Sequence, residues 1–172
     1  IKGNTDRVTY NGEEQEVKDF TVESNPVNAT VTLNAGKTAI AKGTNVGTHY
    51  MGLKAADFTA TSPNYSNIKI EYTDGSLEIT QAALEITADS DSKTYNGTPL
   101  TKDSFSSTGL VGGDKIDSIT VTGSQTEAGS SGNVASDAVI KNASDETVTG
   151  NYDITYAKGT LTVTKRTLTV TG

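Results

Sequence analysis

The chain has 172 residues, 33% of them hydrophobic, with no Cys, no Trp and a formal net charge of −7. The missing Cys excludes a disulfide scaffold, and no apolar run approaches the roughly 20 residues that span a bilayer, so direct membrane insertion is not expected. Acidic charge is spread evenly, with 7 basic and 10 acidic residues in 1–82 (−3) and 7 and 11 in 83–172 (−4). Nucleic acid calls for clustered Lys and Arg, so it is not an expected partner.

In chain order, a short first strand surrounds Ile1, and a polar Asn4-Thr-Asp6 stretch precedes Val8. Tyr10-Asn-Gly12 is a turn, because Asn and Gly both accept left-handed backbone. Val17, Phe20 and Val22 are core candidates on short strands, and Asn25-Pro26 breaks the chain because Pro lacks a ladder donor. Ala29, Val31 and Leu33 alternate as a strand, and Ala39-Ile40-Ala41 is a second apolar run. A loop follows from Gly43 to Gly47, then a strand from Thr48 to Leu53 with Tyr50 in the core. Lys54 to Phe58 allows one helical turn at the start of a crossover from Ala55 to Asn64. Ile68, Ile70 and Tyr72 alternate up to Asp74-Gly75, and Leu77 and Ile79 alternate beyond it. An Asp-Gly pair between two alternating runs predicts a β-hairpin.

Leu84 and Ile86 open a new strand, and Thr94-Tyr-Asn-Gly97 repeats the earlier turn. Pro99-Leu100 and Phe105 anchor a loop, and Leu110-Val111 lead into a Gly112-Gly113-Asp114 turn. Ile116, Ile119 and Val121 form a central strand, Glu127 to Gly132 reads as flexible, and Val134 to Ile140 is the next strand. Ala143 to Gly150 crosses back to Asn151–Arg166, where Tyr152, Ile154 and Tyr156 alternate before Lys158-Gly159 and Leu161 and Val163 after it. This too is predicted to be a hairpin, reversing at Lys158-Gly159.

The landmarks recur at a nearly fixed offset. Tyr10-Asn-Gly12 and Tyr95-Asn-Gly97 lie 85 apart, Asn64-Tyr65 and Asn151-Tyr152 87 apart, and Gly75–Thr80 and Gly159–Thr164 84 apart. Leu84-Glu-Ile-Thr87 recurs as Leu168-Thr-Val-Thr171, and Ile1 stands where Ile86 does. A period near 85 is too long for a solenoid coil and describes tandem small domains. The expected domains are 1–82, 83–165 and, at 166–172, the first strand of a third copy, as though cut from a longer array. Six or seven short strands per unit predict all-β, Ig-like antiparallel β-sandwich domains. A β-grasp-like sheet or open barrel is the alternative. The three residues Gln81-Ala-Ala83 cannot form a flexible tether, so the units are predicted to stand end to end as a monomeric semi-rigid rod.

Tyr-Asn-Gly near the unit start, Leu110-Val-Gly-Gly-Asp114 and Asn151-Tyr-Asp-Ile-Thr-Tyr-Ala-Lys-Gly-Thr-Leu-Thr-Val-Thr-Lys165 resemble bacterial MBG/YDG-type repeats of large surface proteins. The resemblance covers the second unit and, more loosely, the first, which lacks the Gly-Gly-Asp turn and has Gly47-Thr-His-Tyr50 in place of Gly129-Ser-Ser-Gly132. It implies an Ig-like extracellular domain in secreted or wall-anchored adhesins, serving as a stalk whose partners are neighbouring repeats. It carries no catalytic residues and no cofactor.

His49 is the sole histidine and the one possible centre of a Ser-His-Asp relay, but its strand position next to Tyr50 predicts an outward structural side chain. Asp89 and Asp91, near the start of the second unit, are the candidate metal ligands, since Ca²⁺ binds carboxylate oxygens. The matching Asn4-Thr-Asp6 has one carboxylate fewer, which favours a solvated turn. Asp114 and Asp117 resemble an acid–base pair in composition only, because Gly112-Gly113-Asp114 is a turn. Tyr65, Tyr72, Tyr152 and Tyr156 are expected to pack in the core or at its rim. Exposed instead beside converging Asn or Asp, they would favour a module binding host or dietary glycan, or a protein.

Overall fold

Alternation of small or branched apolar residues with polar ones directs the chain into strands. In Ala82–Ala88 each second residue (Ala82, Leu84, Ile86, Ala88) is buried. The computed structural model describes residues 1–172 and divides into two compact units, Ile1–Gln81 and Ala82–Gly172. Both are all-β, with a single 3-10 turn in each.

The first unit comprises β1 (Lys2–Gly3), β2 (Thr5–Thr9), β3 (Gln15–Lys18), β4 (Phe20–Thr21) and β5 (Thr30–Leu33). β6 (Ile40–Gly43), β7 (Gly47–Tyr50), a 3-10 turn at Ala55–Asp57, β8 (Phe58–Thr61) and β9 (Ser76–Thr80) complete it. β9 is central to one sheet, parallel to β2 and antiparallel to β7, so that Asp6 and His49 flank Leu77. β1 pairs with β4, β3 with β6 and β5 with β8.

The second unit comprises β10 (Ala82–Ala88), β11 (Asp91–Thr94), β12 (Phe105–Thr108), β13 (Lys115–Thr122) and β14 (Gly129–Lys141). A 3-10 turn at Thr149–Asn151 leads to β15 (Tyr152–Ala157) and β16 (Gly159–Thr164). One sheet has the order β12-β10-β15 and the other β11-β16-β14-β13. The first strand therefore crosses from sheet to sheet at Asp89-Ser90, and the last at Lys158.

These pairings overturn the hairpin expectation. β15 runs parallel to β10, with Leu84 opposite Ile154, and β16 runs parallel to β11, with Asp91 opposite Leu161. The chain thus continues in one direction through Lys158-Gly159, and β15 and β16 never pair with each other. The sheets are mixed rather than antiparallel. In the first unit β9 likewise runs parallel to β2, and Asp74-Gly75 is no reversal. Neither Gly75 nor Gly159 has a positive φ. Glycine stands there for room: a Cβ on Gly159 would enter the Ala88 and Asp89 carbonyl oxygens, and one on Gly75 would meet the Asn4 carbonyl at 2.6 Å. The Tyr-Asn-Gly turns do need left-handed backbone, with φ of 81° at Gly12 and 79° at Gly97.

The register makes the units comparable residue by residue. Asp6 faces Leu77 as Asp91 faces Leu161, and Gly3 faces Phe20 as Ala88 faces Phe105. Tyr10 N–H donates to Thr80 O, and Tyr95 N–H to Thr164 O, both at 2.8 Å. The β3–β6 ladder shrinks in the second unit to one bridge, Leu100 to Gln125. Leu77 and Ile79 in one unit, and Leu84, Ile86, Ile140, Leu161 and Val163 in the other, are fully buried. Each such side chain contributes about 1.5–3 kcal/mol.

Three smaller expectations also change. Tyr50 lies on β7 but is 65% exposed, because the half-buried side chain of that strand is His49, so the inward and outward faces expected from the sequence are exchanged. The Ala55–Asn64 crossover contains β8, where Phe58 is buried against Phe20 and Tyr72 with ring centroids 4.9 Å apart in each case. Residues 129–132 begin β14 and pair with β16 rather than forming a flexible loop.

Candidate functional site

The first unit holds a groove of about 300 Å³. Its lining is mixed, with Val22, Val31, Ile68 and Ile70 beside the polar Ser24, Asn67, Lys69 and Glu71. Tyr65, 58% exposed, and Asn25 supply polar atoms at its rim. The Asn25 side chain is already engaged: its Nδ2 donates to Ala29 O and its Oδ1 accepts the Ala29 N–H, both at 2.8 Å.

The groove exists because residues 64–72 carry no ladder. In the second unit the equivalent β15 pairs with β10 from Ala82↔Tyr152 to Thr87↔Ala157. In the first unit only Ile1–Gly3 stand in that row: Thr73 N–H donates to Ile1 O at 3.0 Å, Gly3 N–H to Thr73 O at 2.9 Å, and the Ile1 ammonium to Glu71 O at 2.8 Å.

Two carboxylates hold the rest of this unit. Asp74 accepts from Gly52 N–H (2.9 Å), Leu53 N–H (3.3 Å), Gly75 N–H (3.0 Å) and the Tyr72 hydroxyl (2.7 Å). Burial, reinforced by that bond to Asp74, pushes the Tyr72 phenol up to about 12. Asp57, buried at the 3-10 turn, accepts the Lys54 N–H at 3.0 Å and pairs with Lys37 at 3.3 Å. The Lys54 N–H, with help from Lys37, holds the Asp57 carboxyl below the usual carboxylate range.

The residues singled out in the sequence lie apart, each with local partners. His49 Nε2 is 2.8 Å from Asn45 O, and its ring covers Gly43 so closely that a Cβ there would lie 2.5 Å from it. Asp89 Oδ2 accepts the Ser104 hydroxyl at 2.6 Å, and Asp89 O accepts Asn133 Nδ2 at 2.8 Å. Asp91 Oδ1 accepts the Ser92 N–H at 2.8 Å. No three His, Cys, Asp or Glu side chains come together in an arrangement able to hold a metal ion. Asp114 Oδ2 accepts the Tyr152 hydroxyl at 2.6 Å, whereas Asp117 pairs with Lys141 at 3.5 Å. They are used separately.

Of the four hairpin-position tyrosines, Tyr152 is buried and Tyr72 half-buried. Tyr156 stands at the rim, its hydroxyl accepting the Ala138 N–H at 3.0 Å. Tyr65 is the exception.

No curated protein matches the chain. Residues 84–162, all within the second unit, match the family model of the MBG domain (YGX type), which makes that unit an MBG-type repeat.

Proposed function

We propose that the chain is a pair of non-enzymatic spacer repeats from a bacterial cell-surface, adhesin-like protein, lying outside the cell and associated with its wall. The observation that carries this reading is repetition: an MBG-type unit preceded in tandem by a unit with the same strand register. Each unit is read as an Ig-like sandwich, its two layers joined by first and last strands that pass from one sheet to the other. The carboxylates and the histidine at which chemistry was sought are bonded to neighbouring backbone and side chains, as framework residues are.

Glycan binding is the second reading, favoured by one observation, the exposed Tyr65 beside the groove of the first unit. Against it, the side chain of Asn25 is committed to Ala29, whereas sugar recognition needs polar groups free to converge on hydroxyls. Two measurements test the assignment. Antibody raised against the chain should label intact, unpermeabilised cells of the source bacterium, and a glycan array should give no binding. Binding in the micromolar range that Tyr65→Ala abolishes would replace the spacer reading by the glycan one. Label confined to permeabilised cells would remove the surface assignment.

A further inference from the structure

We propose that Asn96 is a self-modifying residue: the turn that holds it promotes conversion of its side-chain amide, through a cyclic imide formed with Gly97, into aspartate and isoaspartate. The dipeptide Asn-Gly occurs at Asn11-Gly12 and at Asn96-Gly97, each preceded by Tyr and each in a turn whose glycine has a positive φ. Sequence therefore gives the two sites the same nearest neighbours. Structure gives them different surroundings.

Three donors converge on Asn96 Oδ1: the Lys93 ammonium at 2.8 Å, the Thr98 hydroxyl at 2.7 Å and the Thr98 N–H at 3.1 Å. Lys93 is itself fixed there, since its Nζ also donates to Thr98 O at 2.7 Å and to Thr98 Oγ1 at 2.9 Å. In the first unit Asn11 Oδ1 accepts the Glu13 N–H at 2.9 Å. The place of Lys93 is taken there by Val8, which faces Ile79 as Lys93 faces Val163, and the place of Thr98 by Glu13. Neither the ammonium nor the hydroxyl has a counterpart in that turn.

The difference falls on the atom where charge develops. The Gly97 nitrogen, giving up its proton to solvent, attacks Asn96 Cγ; a C–N bond forms and the carbonyl electron pair moves onto Oδ1. The oxyanion collapses and expels Nδ2, which takes a proton from water and leaves as ammonia, so that a five-membered imide remains. Water then adds to either imide carbonyl and opens the ring to aspartate or to isoaspartate. Every step is redox-neutral, and water is the one co-reactant. An ammonium, a hydroxyl and an N–H aimed at Oδ1 bind the oxyanion more strongly than the neutral carbonyl, which is the condition for speeding the step. The nucleophile is unobstructed, since even a Cβ on Gly97 would meet nothing nearer than the Tyr95 hydroxyl at 3.9 Å. Asn96, Gly97 and Thr98 are exposed, so water reaches the imide. The product places a carboxylate beside Lys93. Its isoaspartyl form also lengthens the backbone next to Tyr95, whose N–H extends the β11–β16 ladder to Thr164 O at 2.8 Å.

Peptide mapping by mass spectrometry on the full chain, incubated in mildly alkaline buffer, times the loss of each side-chain amide. Asn96 should react about tenfold faster than Asn11, because exposed donors are worth less than the roughly hundredfold or more of an enclosed oxyanion hole. Lys93→Met should bring Asn96 down toward the rate of Asn11, and Lys93→Arg, which keeps a cation, should retain most of the excess. The Tm of each variant shows that the second unit is folded during the incubation. In urea, where both turns are unfolded, the two rates should converge. Asn96 no faster than Asn11 in the folded chain, or an excess that persists in urea, would overturn the proposal. So would a folded Lys93→Met chain that reacts as fast as the wild type or faster, since the Lys93 contact would then hold the amide still rather than activate it.

Discussion

Gly159→Ala is the most direct probe of the parallel first and last strands. The new Cβ would stand 2.5 Å from the Ala88 carbonyl oxygen and closer still to that of Asp89, where ordinary contact begins near 3.4 Å. Neither oxygen can yield cheaply. Asp89 N–H donates to Ser104 O at 3.0 Å, and Asp89 O accepts Asn133 Nδ2 at 2.8 Å, so moving this backbone breaks the bonds that hold it. Overpacking of this kind costs about 1–3 kcal/mol, and a backbone obstacle places it at the upper end. Gly→Ala returns roughly 0.4–1 kcal/mol by narrowing the unfolded ensemble. The net loss is about 2 kcal/mol, which lowers the Tm of a unit this size by roughly 8–16 °C. Calorimetry on the full chain would read it as a shift of the second unit's transition. Gly150→Ala is the control, with nothing within 4 Å of its Cβ and no positive φ. If Gly159→Ala melts within about 2 °C of Gly150→Ala, the two strands do not meet at this point and the parallel topology is wrong.

Three other outcomes follow from the hydrogen bonding. Tyr152→Phe removes a hydroxyl that donates to Asp114 and accepts the Val111 N–H at 3.1 Å, and should lower the second unit's Tm by roughly 5–10 °C for a loss of about 1–1.5 kcal/mol. Because folding holds the Asp57 carboxyl below its ordinary value, its contribution is complete above the unfolded pKa of about 4 and is lost as pH falls through the folded value. Acid titration of the first unit's Tm should therefore steepen below about pH 4, and Asp57→Asn should flatten that slope. Tyr72 should ionise near pH 12 in an absorbance titration, and Tyr72→Phe should delete that late step. Its raised pKa makes its contribution complete below about pH 10 and lost between there and about 12.

Much of the strand pattern was legible because alternation of side chains is a local property. Val31 and Leu33, Leu84 and Ile86, and Ile116–Val121 all fall on strands, and the Tyr-Asn-Gly turns carry the positive φ their residues suggest. Strand direction was not legible. Period-two alternation on both sides of Lys158-Gly159 describes equally well a chain that reverses and one that continues. The glycine that suggested a turn answers instead to a carbonyl from residues 88–89, some 70 positions earlier in sequence. Tyr50 misled for a related reason: alternation along β7 does not say which face turns inward, and His49 took that face.

The parallel pairing of β11 with β16 has a mechanical consequence. Because its terminal strands run the same way side by side, the chain enters the second unit at one end of the ladder and leaves at the other. Tension applied through the chain ends then draws these strands along their own length in opposite senses. The ladder bonds from Asp91↔Leu161 to Thr94↔Thr164 are loaded together in shear, where a hairpin would open one bond at a time like a zipper. Rupture requires several bonds to fail at once, so the unit resists force well beyond what its modest core suggests for equilibrium stability. The same holds for β2 with β9, over the five pairs from Thr5↔Ser76 to Thr9↔Thr80.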